Sequence, residues 1–253
     1  MNSTVLSLIV LVVMMGGACV GAVFRRVLPG NALADDSKEV IRLGSGLIAT
    51  LAALVLGLLI ASAKSSYDVQ SNQVREMTAD IVLLDLLMAQ YGPEANTARD
   101  QLRRAIGPLV EQIWRADGPE ATQAAPFKAT AAGEAAFAQI QKLSPQNDAQ
   151  TSLKSRAVAL STDLARTRML LYEHSRNTVP MPFLVILVFW LTVIFMSFSL
   201  FSRLNATVIA VLLVVGLSAS AAIFLILGMS QPFTGPIQIP SAPLRNALAQ
   251  LAP

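Results

Sequence analysis

Four stretches without a single Asp, Glu, Lys, Arg or His dominate this chain: residues 5–24, 43–63, 181–202 and 204–229. A helix rises ~1.5 Å per residue, so about 20 residues cross the ~30 Å hydrocarbon layer of a bilayer, and each stretch is long enough. Composition agrees. The 253 residues are 54% hydrophobic and 14% charged, whereas soluble domains carry about 25% charged residues. The first stretch lacks a basic leader and runs directly into Arg25 and Arg26, so it reads as a retained membrane helix rather than a signal peptide.

Between the second and third stretches, residues 64–180 hold 13 of the 19 basic and 13 of the 16 acidic residues, a net charge of zero. Here Val74, Met77, Ile81, Leu84, Met88 and Tyr91 recur at spacings of three and four, one face of a helix. No breaker separates them from the second stretch, which predicts one helix from about residue 43 to 91, stopped by Gly92 and Pro93. A second helix is expected over 93–115, with Ala98, Leu102, Ala105, Leu109 and Ile113 inward and Gly118-Pro119 as its stop. The segment 121–143 is Ala-rich. Ser144 and Pro145 resemble an N-cap and first helical residue, opening a helix to about 177 whose stripe is Leu153, Ala157, Leu160, Leu164, Thr167 and Leu171. Pro180 and Pro182 mark the start of the third stretch. Two long helices with matched stripes predict an antiparallel hairpin closed by shorter helices.

The expected fold is therefore all-α: four transmembrane helices with a helical extramembrane domain inserted between the second and third. The divisions are 1–63, a first transmembrane hairpin; 64–180, the helical domain; 181–229, a second hairpin; and 230–253, a Pro-rich C-terminal segment. Arg25, Arg26, Lys38 and Arg42 in the first short connection favour placing it in the cytoplasm, and the helical domain outside. Lys64, Arg166, Arg168, Arg176 and Arg245 pull the other way.

Signals of catalysis are missing. No Cys, His or carboxylate cluster has metal-ligand spacing, and no Gly-rich phosphate loop is present, so no catalytic residue, metal or cofactor is assigned. The single Cys19 cannot form an intrachain disulfide. The net charge of +3 comes without a basic patch, so no nucleic-acid partner is expected. His174 reads as a structural polar residue at the membrane interface, Asp35, Asp36 and Glu39 as a solvated loop, and Gly16-Gly17 as a packing notch. Phe183, Phe189, Trp190, Phe195, Phe198 and Phe201 read as lipid-facing or interfacial.

The second stretch is more informative. Ala49, Ala53, Gly57 and Ala61 fall four apart, with Gly46, Thr50 and Ser62 nearby, a narrow face of small residues. Such a face either lets another helix approach closely or leaves room along a pore, and both hold if the helix packs around the axis of an oligomer. Ion-coupled transporters place ionisable residues at membrane depth. None of the four stretches has one, which disfavours a pump and leaves open a channel gated by an apolar constriction. At the end of the chain, Pro232, Pro236, Pro240 and Pro243 exclude helix up to about residue 241. Phe233, Ile237 and Ile239 demand cover there, on the helical domain or in the mouth of the membrane region. Gly235 is placed for a turn at positive φ, and a short amphipathic helix is expected over 244–251.

The stretches LAALVLGLLIASAKSSYDVQSNQV, VILVFWLTVIFMSFSLFSRLNATV and SASAAIFLILGMSQPFTGPIQIPSAPLRNAL, above all the segment with Pro232, Phe233 and Gly235 followed by SAPLR, resemble the bestrophin-like domain family of bacterial and plant membrane proteins. Family members carry an acidic residue just before that segment, where this chain has Gly228, Ser230 and Gln231. The resemblance implies a bacterial inner-membrane protein in contact with lipid. By analogy with bestrophins it implies a homo-oligomeric channel passing inorganic ions, anions above all. The alternative is a non-conducting scaffold or sensor that binds a partner through its helical domain.

Overall fold

The computed structural model describes residues 3–27, 35–114, 131–175, 181–202 and 205–251. Among these residues the chain is helical, without strands: α1 (Ser3–Val27), α2 (Asp35–Tyr91), a 3-10 turn (Pro93–Ala95), α3 (Asn96–Trp114), α4 (Ala131–Lys142), α5 (Asp148–Ser175), α6 (Met181–Phe201), α7 (Ala206–Met229) and α8 (Ala242–Gln250). α1, α2, α6 and α7 are long and apolar enough to cross a membrane. The helices gather into two compact units, residues 1–65 with 178–230 and residues 66–177 with 231–253. The boundary falls inside α2.

In unit one, α1 packs chiefly on α6 and α7. Gly17 lies against Thr192, where an added Cβ would sit 2.6 Å from Cγ2 and 2.9 Å from the carbonyl oxygen, and Gly21 lies against the Met196 carbonyl. The two helices therefore run parallel in close backbone contact. The expected notch is Gly17 with Gly21; Gly16 faces open space. α7 runs antiparallel to α1, with Ser220 Oγ donating to the Ser7 carbonyl at 2.7 Å and Gly216 seated against Leu11 and Met15. Met14, Leu187, Phe195, Ile223 and Ile226 fill the centre, and α2 contributes Ala52, Leu59 and Ala63. Phe195 corrects the lipid-facing expectation: at 1% exposed it is a core residue, lying against the space that Gly216 leaves. Phe183, Phe189 and Phe198 are exposed, and Trp190 and Phe201 half-buried.

In unit two, every member of the α2 stripe from Val74 to Tyr91 is buried, as are Ala98, Leu102, Ala105, Leu109 and Ile113 on α3. α2 and α5 are antiparallel. Gln150 Nε2 donates to the Tyr91 carbonyl at 3.0 Å, and Gln73 Nε2 lies 3.2 Å from His174 Nδ1 at the opposite end of the pair. On α5, Ala157, Thr167 and Leu171 are buried and Leu153, Leu160 and Leu164 half-buried.

Two helix starts differ from expectation. α5 begins at Asp148, not at Ser144: Asn147 Oδ1 accepts the Gln150 amide at 2.8 Å, and Gln150 Oε1 accepts the Gln146 amide at 2.8 Å. The two bonds resemble a capping box whose return bond falls one residue earlier, on Gln146, and they outcompete Ser144. α2 begins at Asp35, so Glu39 lies in its opening turns and not in a loop, where negative charge meets the positive end of the helix dipole. Pro182 sits at the second position of α6, where its missing N–H costs nothing. The Gly118-Pro119 stop, residues 121–130 of the Ala-rich segment, the last residues expected of the α5 helix and Pro180 lie outside the described residues. The rest of the Ala-rich segment forms α4.

Candidate pore-lining face and C-terminal segment

Within unit one, the small-residue face of α2 is uncovered. Gly46, Thr50, Ala53, Gly57 and Ala61 are exposed and Ala49 is half-buried, while the helix turns Ala52, Leu59 and Ala63 inward. A Cβ added at Gly46 or Gly57 would meet nothing within 4 Å. Among the described residues nothing packs against Gly46 or Gly57 on this face. Its one hydroxyl among these residues, Thr50 Oγ1, donates to the Gly46 carbonyl at 3.0 Å, leaving a surface of methyl and methylene groups. Leu43, Leu47, Leu51, Leu54 and Leu58 flank it and are also exposed.

Within unit two, the C-terminal segment is a docked strap. Pro232 and Phe233 are buried, and the Ile239 amide donates to the Pro232 carbonyl at 2.7 Å, closing the loop. Gly235 turns inside that loop at φ +96°, the conformation expected of it. Trp114, at the end of α3, fixes the strap in two ways. Its Nε1–H donates to the Ile239 carbonyl at 2.9 Å, and its ring meets Phe233 edge-on, centroids 5.6 Å apart and planes at 86°. Tyr67 OH lies 3.5 Å from the Gln238 carbonyl. Leu244 on α8 and Leu251 just past its end then enter the same core as Val74, Met77 and Leu171, and Ala247 is buried as well. Of the two covers foreseen for the strap, the structure shows the helices of its own unit.

Sequence reasoning missed the polar fastenings of unit two. Asp85, 7% exposed, takes a two-pronged contact from Arg99, Nε to Oδ1 at 2.9 Å and Nη2 to Oδ2 at 2.8 Å. That hydrogen bond holds the Arg99 guanidinium above its ordinary pKa. Burial lowers Arg168, with Glu134 opposing. In the polar half of α2, Asp80 is raised by burial and by the neighbouring Glu76 and Asp163 carboxylates. Gln70, 2% exposed, continues the α2 stripe one step before Val74. Its spacing carried the signal, which a search for apolar residues alone passes over. His174 is half-buried against Gln73. Among the described residues, no three His, Cys, Asp or Glu side chains gather as a metal site would require.

No curated protein matches the chain. Two crystal structures of point mutants of a bacterial bestrophin homologue from Klebsiella pneumoniae share its fold. One is 15% identical, with a TM-score of 0.66 over 96% of this chain and 97% of that one. The other is 14% identical, with a TM-score of 0.67 over 94% and 97%. At this identity the likeness is one of fold. The family assignment comes from sequence: the bestrophin-like domain pattern matches residues 11–244, taking in three of the four apolar helices whole, most of α1, and the strap. The chain is a member of the bestrophin-like domain family.

Proposed function

We propose that this protein is a homo-oligomeric ion channel of the bacterial cytoplasmic membrane, anion-conducting by kinship with the family, with unit two outside the bilayer. The face of α2 formed by Gly46, Ala49, Thr50, Ala53, Gly57 and Ala61 lines the central axis or packs next to it. The observation that carries this reading is the uncovered state of that face. It is free of charge and built of small side chains, in a helix that turns Ala52, Leu59 and Ala63 to the core. A pore walled this way discriminates by dewetting rather than by fixed charge, and its conductance depends on side-chain bulk.

Purified protein in planar bilayers should show unitary currents, with a reversal potential under a KCl gradient that follows chloride. A silent preparation that is folded and assembled would overturn the channel reading. It would favour the scaffold instead, which draws support from the exposed Val69, Leu83 and Leu86 on α2 and Met169 on α5.

A further inference from the structure

At the end of unit one where α1 and α6 finish, donor groups lie buried without acceptors. Arg25 stands in the last turn of α1, and its Nη1 is buried with no hydrogen-bond partner. Ser199, near the end of α6, is 0% exposed and its Oγ is equally unpartnered. The register of the seam between the helices sets the two at one level. Gly17 meets Thr192 and Gly21 meets Met196, so the parallel register carries Arg25 to the level of Leu200, next to Ser199. Gly17, Gly21 and Arg25 share one face of α1, and Thr192, Met196 and Ser199 share the facing side of α6.

A third donor reaches the same level. α7 runs antiparallel to α1, with Ser220 on Ser7 and Gly216 on Leu11, so its N-cap Asn205 arrives near Ala22. Asn205 makes no side-chain capping bond to the first amides of α7, which have no partner within their own helix. Arg25 Nη1 has no hydrogen-bond partner, so the last carbonyls of α1 and α6 do not accept from it. A guanidinium N–H, a hydroxyl and a helix amino end form a set of donors, and the ligand that satisfies such a set is an oxyanion.

The surroundings select its source. This layer is the end of three apolar helices, the depth of lipid headgroups. The outer faces just below it, Val20, Val23 and Phe24 on α1 and Ile209 and Val211 on α7, are exposed and apolar, suited to acyl chains. We propose that Arg25, Ser199 and the amino end of α7 bind the phosphate of an anionic phospholipid.

The test uses full-length protein in non-ionic detergent, with melting temperature and native mass spectrometry as readouts. Phosphatidylglycerol should raise the melting temperature of the wild type and of the control Arg26→Gln, and one lipid should stay bound as detergent is stripped. Arg25→Gln should lose both effects. Ser199→Ala removes a hydroxyl that is unpaired without lipid, so it should melt no lower than wild type. It should nonetheless need about tenfold more phosphatidylglycerol for the same rise, which keeps the question decidable if Arg25→Gln fails to fold. An equal rise with inorganic phosphate would assign the site to a free anion and overturn the lipid. Equal rises with phosphatidylcholine, or an unchanged phosphatidylglycerol response in Ser199→Ala, would overturn it too.

Discussion

Single residues fix the closest contacts. At Gly21 even one methyl group would overlap the Met196 carbonyl, whereas at Gly16 it would meet open space. Gly21→Ala should therefore cost about 1 to 3 kcal/mol through forced separation of α1 and α6, and Gly16→Ala almost nothing, as thermal melts in detergent would show. The sequence contains both glycines in plain view, but which one meets a neighbour depends on the register of a helix about 175 positions away, and local pattern does not encode it. Gly235 was legible, because a proline-rich loop that must reverse leaves few other residues able to turn. Asp80 gives a pH prediction. Its pKa is raised in the fold by burial and by Glu76 and Asp163, so the folded state holds the proton more tightly than the unfolded one. Its unfavourable contribution is thus absent at acid pH and appears as pH rises through the shifted value. Asp80→Asn should raise the melting temperature at neutral pH, with the advantage shrinking on acidification; a pH-independent difference would mean that charge repulsion is not the cause.

At the scale of elements, periodicity read correctly wherever a helix buries one stripe. The α2 stripe from Val74 to Tyr91 and the α3 stripe from Ala98 to Ile113 are both buried as spaced, because a 3.6-residue period leaves little freedom about which side faces in. The amino end of α5 was misread, since Ser144-Pro145 and Asn147-x-x-Gln150 are both plausible starts and only in the second do side chains accept the amides of Gln150 and Gln146. The strap was legible as something that must be covered, but not what covers it. Trp114 and Ile239 are far apart in sequence, and their 2.9 Å bond has no local signature. Phe233→Ala should cost about 3 to 5 kcal/mol, as removal of a buried aromatic does. Trp114→Phe keeps the edge-on ring contact and loses the bond to Ile239, costing about 0.5 to 1.5 kcal/mol. A Phe233→Ala protein that melts like wild type would show that the strap leaves its seat in solution.

For the whole molecule, the membrane-spanning character was legible from four uncharged stretches, while sidedness and assembly depend on partners outside the chain. Sidedness can be read with a cysteine. Ser155 is exposed on α5 in unit two, and the basic residues of the first connection favour the opposite side for that connection. Ser155→Cys in a Cys19→Ala background should react with an impermeant maleimide in intact cells; labelling only after permeabilisation would reverse the orientation. Assembly is tested by bulk on α2. Inside the chain a larger side chain at Gly57 or Ala53 has room, since both are exposed and a Cβ at Gly57 meets nothing within 4 Å. Gly57→Leu and Ala53→Leu should therefore leave the fold of a single chain intact. Any loss must come from a surface that belongs to another copy, where close backbone approach tolerates no added branches. The expected outcome is a smaller particle by light scattering, or an assembly of unchanged mass whose conductance falls. Leu54→Ala, on the exposed leucine flank, serves as the contrasting change and should alter neither. If both leucine variants keep their mass and their currents, the face meets lipid, and the axis of the channel lies along a different helix.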